Sequence, residues 1–182
     1  MKLIYNESKN ILVTAYTFTD EDIANALIEA SRRGVGVELV VDIGQVWDSF
    51  NMWKLVRRLV NNNISAWIYD SKDGIMHNKF IVFQDNAYRN SSLVWTGSFN
   101  LTQLANNKNR ENVVLFNEAP LIKTFKDEFN MLKAQSIKEL PPISCVLCPK
   151  CKVRKLRVDA IPRRNKVISC INCCFSHPYI NK

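Results

Sequence analysis

Glycine, proline and long apolar runs are scarce in this 182-residue sequence, and each shortage excludes a class of protein. Five Gly and six Pro are too few for a collagen-like or low-complexity chain. Apolar runs such as 11–16 and 37–41 end far short of the roughly 20 residues that cross a bilayer. Polar residues also interrupt the stretch 3–10 before the apolar region of a secretion signal could form. We therefore expect a cytoplasmic or nuclear protein that is neither secreted nor membrane-spanning and has no membrane partner.

Acidic residues are nearly missing from the end of the chain. Residues 141–182 contain nine Lys and Arg against Asp159 alone, whereas residues 1–140 carry 16 basic and 16 acidic residues. All six cysteines also lie in the basic segment. Because both distributions change at the Pro141-Pro142 step, the sequence predicts two domains, 1–140 and 141–182.

The first 140 residues alternate between strand-like and helix-like patterns. The patterns predict strands at 10–18, 35–43, 64–70, 79–84, 91–97 and 112–117 and helices near 20–33, 49–60, 101–107 and 119–138. Thr19 is the expected N-cap of the first helix. Trp47, Phe50 and Trp53 either form a core stripe or line a groove, and their three-residue spacing favours the core. The alternation is typical of parallel β–α–β units, so we expect an α/β fold with helices on both faces of a mixed sheet.

Two short stretches carry residue types that suit chemistry on a phosphodiester. His77 and Lys79 stand two residues apart at the start of an apolar strand, so their side chains point to the same side. Ser98 and Asn100 stand two apart where the next strand ends. An imidazole can attack phosphorus, while ammonium and amide groups donate hydrogen bonds to the charged phosphate oxygens. The sequence therefore predicts one pocket for a phosphodiester.

These residues resemble the signature of the phospholipase D superfamily, which runs His-x-Lys, four residues, Asp, and later Gly-Ser-x-Asn. The resemblance covers roughly residues 8–135, since 9–42 is similar to the family's opening strand, helix and strand, and 109–116 to its Asn-x-Glu-Asn strand. The signature's aspartate position is occupied by Gln84, with Asp85 one residue later. The link between the two halves of the signature is also longer than usual.

The resemblance implies a role for each site residue. His77 would be the nucleophile that forms a phosphohistidine, and Lys79 and Asn100 would hold phosphate oxygens. Ser98 would help to position those groups, and Glu111 would hydrogen-bond to the other ring nitrogen of His77 and fix its orientation. No metal is needed for this chemistry.

The resemblance implies a metal-independent nuclease, with DNA favoured over RNA as its substrate. A phospholipase is one alternative, although it would need an apolar approach surface or a membrane anchor. A non-catalytic DNA- or RNA-binding protein is the other, and the shifted aspartate favours it slightly.

The histidine count predicts the oligomeric state. The reaction needs a second histidine to protonate the leaving oxygen, but the chain contains only His77 and His177. His177 has no Lys two residues later and no Gly-Ser-x-Asn partner. Small single-motif nucleases of the family pair, so the resemblance implies a homodimer that shares one active site on its two-fold axis.

Cysteine spacing indicates a metal site in the C-terminal segment. The two Cys-x2-Cys pairs are Cys148 with Cys151 and Cys170 with Cys173, separated by 18 residues. This spacing is typical of a structural zinc site, one ion per chain, in a zinc ribbon with strands at 152–159 and 161–168. The alternatives are a competing pair of Cys145 with Cys148, a substitution by Cys174 or His177 at the second knuckle, and disulfides, which require an oxidising compartment.

Basic side chains surround these cysteines. They fit contacts with the phosphate backbone of nucleic acid, or alternatively form only a solvated face. The candidates are Lys150, Lys152, Arg154, Lys155, Arg157, Arg163, Arg164 and Lys166.

Overall fold

The computed structural model describes residues 1–70, 74–159, 167–173 and 175–178. In chain order its elements are α1 (Lys2–Tyr5), β1 (Asn10–Ala15), α2 (Glu21–Arg32), β2 (Gly36–Asp42), α3 (Ile43–Asp48), α4 (Phe50–Asn61), β3 (Ser65–Tyr69), β4 (Lys79–Asn86), β5 (Ser91–Gly97), α5 (Gln103–Asn107), β6 (Val113–Phe116), α6 (Ala119–Ala134), β7 (Ser136–Ile137), β8 (Leu156–Asp159), β9 (Val167–Cys170) and β10 (Ser176–Pro178).

The first seven strands form one mixed sheet in the order β6-β5-β4-β1-β2-β3-β7. β1, β2 and β3 are parallel neighbours, which confirms the predicted β–α–β units. β4 pairs antiparallel with both β1 and β5, and β5 with β6, so the second half of the sheet is a meander. The sheet changes from parallel to antiparallel between β1 and β4.

Helices cover both faces of this sheet, as the sequence predicts. Ile11 and Val13 of β1 point to the face covered by α2 and α4, where Leu27 and Leu59 are fully buried. Leu12, between them, points to the other face and shares a core with Phe129 of α6. This alternation follows from the two-residue period of a strand that is buried on both sides. No helix of the described residues is long and apolar enough to cross a membrane.

Helix ends differ from the sequence expectations where tertiary contacts compete. Asp20, not Thr19, caps α2, because its Oδ1 accepts the amides of Asp22 at 2.9 Å and Ile23 at 3.1 Å. The amide of Thr19 instead donates to the Leu101 carbonyl at 2.9 Å. The last helix ends at Ala134 rather than 138, since Ser136–Ile137 pairs with β3 as strand β7.

The cysteine-rich segment forms a second, three-stranded sheet in the order β10-β9-β8. Two of its strands overlap the predicted ones, and residues 161–166 of the second predicted strand lie outside the described residues. This sheet packs on α3 and α4. The Phe50 ring lies 5.3 Å from that of Phe175 and 5.4 Å from that of His177, and Trp53 Nε1 donates to the Pro141 carbonyl at 2.8 Å.

Phe50 and Trp53 of α4 are therefore core residues, as their spacing favoured, whereas Trp47 of α3 is not part of the core. Phe50 and Trp53 are buried, and Trp47 is half-buried. Their partners come from the cysteine-rich segment as well as from the sheet. Sequence periodicity identifies a buried face but not the element that covers it.

Replacing Phe50 by alanine should destabilise the chain by about 3–5 kcal/mol, because it empties an aromatic site between α4 and the cysteine-rich sheet. Urea unfolding measures this change. Tyr88→Ala, which truncates an aromatic ring that is 41% exposed, is the control and should cost less than about 1 kcal/mol. Equal losses for the two variants would contradict the packing described here.

Candidate active site and metal centre

The predicted site residues converge where β1 and β5 end and β4 begins. The register pairs Ala15, the last residue of β1, with Lys79, the first of β4. On the other side Phe80 pairs with Thr96, whose hydroxyl donates to the Lys79 carbonyl at 3.0 Å. Two neighbouring strands thus deliver their polar residues to the same edge of the sheet.

His77 is exposed at this edge, and contacts of its ring and of the preceding residue hold it in place. Its ring packs edge-on against that of Tyr16, with centroids 4.5 Å apart. The preceding residue, Met76, is buried, and its amide donates to Asp42 Oδ2 at 3.0 Å. The imidazole is therefore accessible while its backbone is anchored.

Tyr16 is a site residue that the sequence analysis missed. It directly follows the buried strand β1, and the carboxyl end of such a strand is where functional side chains gather in open α/β sheets. This position directly after β1 is the signal by which the sequence could have identified Tyr16 as a site residue. Its hydroxyl accepts a hydrogen bond from Gln45 Nε2 at 3.0 Å, which ties it to α3.

Lys79 places a positive charge next to the backbone of His77. It is only 8% exposed, its Nζ donates to the His77 carbonyl at 2.7 Å, and the same atom lies 5.1 Å from the centre of the Tyr16 ring. Burial lowers the pKa of this ammonium, and the Glu111 carboxylate opposes that change. An ammonium has three donors, so two N–H groups remain for an anionic ligand.

Ser98 and Asn100 follow β5 in a turn that requires glycine. Gly97 has φ +154°, and a Cβ there would lie 1.9 Å from the Asn112 carbonyl oxygen. The Ser98 hydroxyl donates to Glu111 and accepts the Asn112 amide at 3.0 Å. Oδ1 of Asn100 is buried without a hydrogen-bond partner among the described residues, a costly state that a bound ligand could relieve.

Glu111 lies beside Ser98 rather than against the histidine. Its two carboxylate oxygens accept from the Ser98 hydroxyl and from Asn109 Nδ2, the latter at 3.0 Å. These hydrogen bonds lower the pKa of Glu111, with a smaller contribution from the charge of Lys79. No hydrogen bond joins Glu111 to His77 within the described part of the chain, so its predicted role in orienting that ring stays a prediction.

The departure from the family signature lies at the far end of β4. Gln84 is five residues beyond Lys79, which is about 17 Å along a strand. Gln84 accepts a hydrogen bond from Asn10 at 3.1 Å, and Asp85 accepts one from the Ser8 hydroxyl at 2.9 Å. These hydrogen bonds tie the end of β4 to the start of β1 and to the segment before it, so neither residue reaches the candidate site.

The four named cysteines form a second cluster. Sγ atoms of Cys148, Cys151, Cys170 and Cys173 all lie within 4.8 Å of one another. The sulfurs of Cys148 and Cys173 are 3.7 Å apart and those of Cys151 and Cys170 are 3.6 Å apart. A tetrahedral ion with metal–sulfur bonds near 2.3 Å separates its sulfurs by about 3.8 Å. This cluster can hold a structural metal ion.

The local backbone closes around this cluster. Lys152 has φ +57°, its amide donates to the Cys148 carbonyl at 2.9 Å, and the Cys148 amide donates to the Val153 carbonyl at 3.0 Å. A hydrogen bond from the Val153 backbone lowers the pKa of the Cys151 thiol to about 6, which favours the thiolate that a metal requires, whereas burial raises the pKa of the Cys173 thiol to about 12.

The sequence left three alternative ligands, which are Cys145, Cys174 and His177. Cys145 is not part of the cluster, and Cys174 lies outside the described residues. The ring of His177 packs on Phe50, and its Nδ1 lies 2.7 Å from the Pro178 carbonyl.

The basic residues divide into two groups. Lys150, Lys152, Lys155 and Arg157 are exposed on the cysteine-rich segment, whereas Arg163, Arg164 and Lys166 lie outside the described residues. Arg154 is exposed too, but its guanidinium donates to Asp48 Oδ1 at 2.8 Å and to two backbone carbonyls.

Most of the chain matches a known protein family. Residues 1–133 match the family model described as cardiolipin synthase, PLD-like domain. The chain therefore belongs to the phospholipase D-like family, as the His-x-Lys and Gly-Ser-x-Asn motifs suggested.

Similar proteins include enzymes named for lipid substrates. A phospholipase D of Rickettsia typhi is 31% identical over 129 residues, 70% of this chain and 58% of that protein. A mitochondrial cardiolipin hydrolase of Xenopus tropicalis is 27% identical over 133 residues, 71% of this chain and 57% of that protein. The matched region thus spans less than two thirds of these relatives.

Similar solved structures cover the same region. The phospholipase D family member Nuc from Salmonella typhimurium has a TM-score of 0.67 and 28% identity over 76% of this chain and 87% of that one. NucT from Helicobacter pylori has a TM-score of 0.63 at 19% identity, which shows a shared fold alone.

Proposed function

We propose that this chain is a nuclease, a metal-independent phosphodiesterase that cleaves nucleic acid through a phosphohistidine on His77. One observation carries the proposal. The exposed His77 ring and the buried ammonium of Lys79 both contact the Tyr16 ring, and Ser98 and Asn100 follow the adjacent strand β5. A nucleophile and a fixed cation face the same open edge.

The proposed reaction has two steps. A ring nitrogen of His77 attacks phosphorus, a P–N bond forms, and the P–O bond to the departing strand breaks while a second histidine protonates that oxygen. Lys79 and the Asn100 amide donate to the non-bridging oxygens, which carry the charge of the transition state. Water, deprotonated by the second histidine, then cleaves the P–N bond and releases the phosphate monoester.

Charge favours nucleic acid as the substrate. Residues 141–182 contain nine basic residues and one acid, and five of the basic ones, Arg154 included, are exposed on the described cysteine-rich segment. Such a surface gains affinity by releasing counterions from a phosphate backbone. We propose DNA as the first candidate substrate and RNA as the second. Incubating the protein with DNA and RNA oligonucleotides in EDTA tests both the substrate and the independence of the reaction from metal ions.

His77→Ala should abolish cleavage and leave binding of nucleic acid largely intact, because the nucleophile and the basic segment lie apart. Gel assays measure cleavage, and gel shift measures binding. The matched control is His177→Ala, which removes the other histidine and should still cleave. Brief turnover of the wild-type protein, stopped by denaturation at alkaline pH where the P–N bond is stable, should trap the phosphoryl group with its attached strand on His77.

Comparable cleavage by His77→Ala would refute the mechanism. Binding without any cleavage by the wild-type protein would support the alternative of a non-catalytic DNA- or RNA-binding protein.

A phospholipase is the second candidate, and one feature favours it. A cavity of about 400 Å³ is lined by apolar side chains including Ile81, Phe83, Trp95 and Phe99. Ile81 and Phe83 lie on the same face of β4 as Lys79, so the cavity is on the site's side of the sheet. Turnover of a labelled phospholipid without cleavage of nucleic acid would decide for this candidate.

We infer that residues 141–182 are a separate zinc-ribbon domain that binds nucleic acid, beside a catalytic domain of residues 1–140. The sulfur distances of the four-cysteine cluster fit zinc, and thiolates are its preferred ligands in closed structural sites. The ion would hold the two knuckles together and would take no part in hydrolysis.

Purified protein should contain about one zinc per chain by metal analysis. Replacing Cys148 and Cys170 together by serine should lower the zinc content and weaken binding of nucleic acid, since the cluster loses two of its four ligands. Cys145→Ser, outside the cluster, is the control and should keep the zinc. Reduced, folded wild-type protein without zinc would contradict the assignment.

We also propose that the enzyme is a homodimer with one shared active site. His177 of the cysteine-rich segment packs its ring on Phe50 of α4, which argues against it as the second histidine of the mechanism. β6 is an edge strand beside the site, and its Val113, Val114 and Leu115 are 45%, 56% and 37% exposed. Edge strands are usually covered or charged, so a second copy is the occupant that suits this apolar edge.

A mixed dimer tests the shared site. Wild-type and His77→Ala chains with different tags, purified together, should be severely impaired, because only one imidazole remains in the site. A mixed dimer of wild-type and His177→Ala chains is the control and should cleave normally. Half the wild-type rate in the first dimer, or an active species that sediments as a monomer, would contradict the model of one shared site.

A further inference from the structure

Arg154 joins the cysteine-rich segment to α3 through its whole guanidinium group. Nη1 donates to the carbonyls of Trp47 at 3.2 Å and Cys145 at 2.6 Å, and Nη2 donates to Asp48 Oδ1 at 2.8 Å. The group also lies 5.8 Å from the centre of the Trp47 ring. An exposed ion pair alone contributes little, but this planar fork satisfies three acceptors at once and places a cation at a helix C-terminus.

α3 depends on such contacts for its order. It has six residues, which is too short to be stable by itself. The amide of Leu147 also donates to the Trp47 carbonyl at 2.8 Å, so the cysteine-rich segment contacts the end of α3 with backbone as well as side chain. At its start, α3 is capped by Asp42, whose Oδ1 accepts the Gln45 amide at 3.1 Å.

From α3 the contacts continue to the catalytic histidine. Gln45 donates from Nε2 to the Tyr16 hydroxyl at 3.0 Å and accepts the Thr17 hydroxyl at 3.0 Å. The Tyr16 ring in turn packs on His77 and lies over Lys79. The Asp42 carboxylate that caps α3 also accepts the amide of Met76, next to His77. Two contact paths thus lead from α3 to the nucleophile.

We propose that Arg154 is a positioning residue: it fastens the cysteine-rich segment to α3, and α3 holds Tyr16 and thereby His77 in the reactive geometry. The proposal rests on the proposed function of His77. It adds that the rate of the chemical step depends on the contact between Arg154 and α3, outside the catalytic residues. The cysteine-rich segment then acts on turnover as well as on binding of nucleic acid. Arg154 serves the site through α3 rather than by contact with phosphate.

A small substrate separates an effect on turnover from an effect on binding of nucleic acid. Bis(4-nitrophenyl) phosphate offers a phosphodiester but no polyanionic backbone, so its hydrolysis does not need the basic surface. With the full-length protein, Arg154→Ala should lower kcat for this diester about tenfold and leave KM within about twofold, because a misplaced nucleophile slows chemistry more than it weakens binding. Arg154→Lys, which keeps the charge next to Asp48, should recover part of the rate.

The matched control is Arg32→Ala. Arg32 is also an exposed arginine in an ion pair, with Glu29 at 2.6 Å, but it lies on α2 away from the site. This variant should keep the wild-type kcat. Amide hydrogen exchange supplies a readout besides activity: residues 43–49 should exchange faster in Arg154→Ala and at the wild-type rate in Arg32→Ala.

The outcomes distinguish this proposal from the proposed function. Wild-type hydrolysis with an unchanged kcat in Arg154→Ala, or unchanged exchange of residues 43–49, overturns the positioning role and leaves the proposed function standing. A loss of kcat in Arg32→Ala equal to that in Arg154→Ala also overturns it, since the effect would then not be specific to α3. A wild-type protein that hydrolyses no phosphodiester refutes the proposed function and the positioning role with it.

Discussion

The pairing of β4 with β1 on one side and β5 on the other is the constraint on which the site depends. Thr14 strengthens it inside the sheet, because its hydroxyl accepts the Phe80 amide at 3.0 Å and donates to the Phe80 carbonyl at 3.2 Å. This is the place where parallel strands give way to antiparallel ones. The start of β4 therefore meets the carboxyl end of β1 and the end of β5 at one edge, and polar residues from three separate parts of the sequence become neighbours.

That edge combines an accessible imidazole with polar groups that are costly to bury. Lys79 is almost fully covered, and the amide oxygen of Asn100 has no partner among the described residues. Groups of this kind are retained where binding or catalysis uses them, since a site optimised for stability alone would pair or replace them. Lys79 and Glu111 influence each other's pKa although Lys79 begins β4 and Glu111 lies in the segment before β6.

The cysteine-rich segment shares a core with the rest of the chain. Ile143, Val146 and Leu156 are buried in the same apolar cluster as Val46 and Phe50. A module of about 40 residues buries little apolar surface by itself, so a bound metal and this docking surface would stabilise it together. The same docking surface includes α3, which lies beside the candidate active site, and it thus connects two parts of the molecule that differ in composition and chemistry.

Much of the fold and of both candidate sites can be predicted from short stretches of the sequence. Strand periodicity predicts the parallel units, the spacing of His77 and Lys79 predicts one polar edge, and two Cys-x2-Cys pairs predict the metal cluster, because each signal depends on residues close in the chain. Only tertiary structure decided what distant residues do. Tyr16 packs on a histidine 61 positions away, Glu111 accepts a hydrogen bond from Ser98, and Arg154 forms an ion pair with Asp48 of α3. Such partners are set by strand order and by the docking of the second sheet, and no spacing along the chain encodes either.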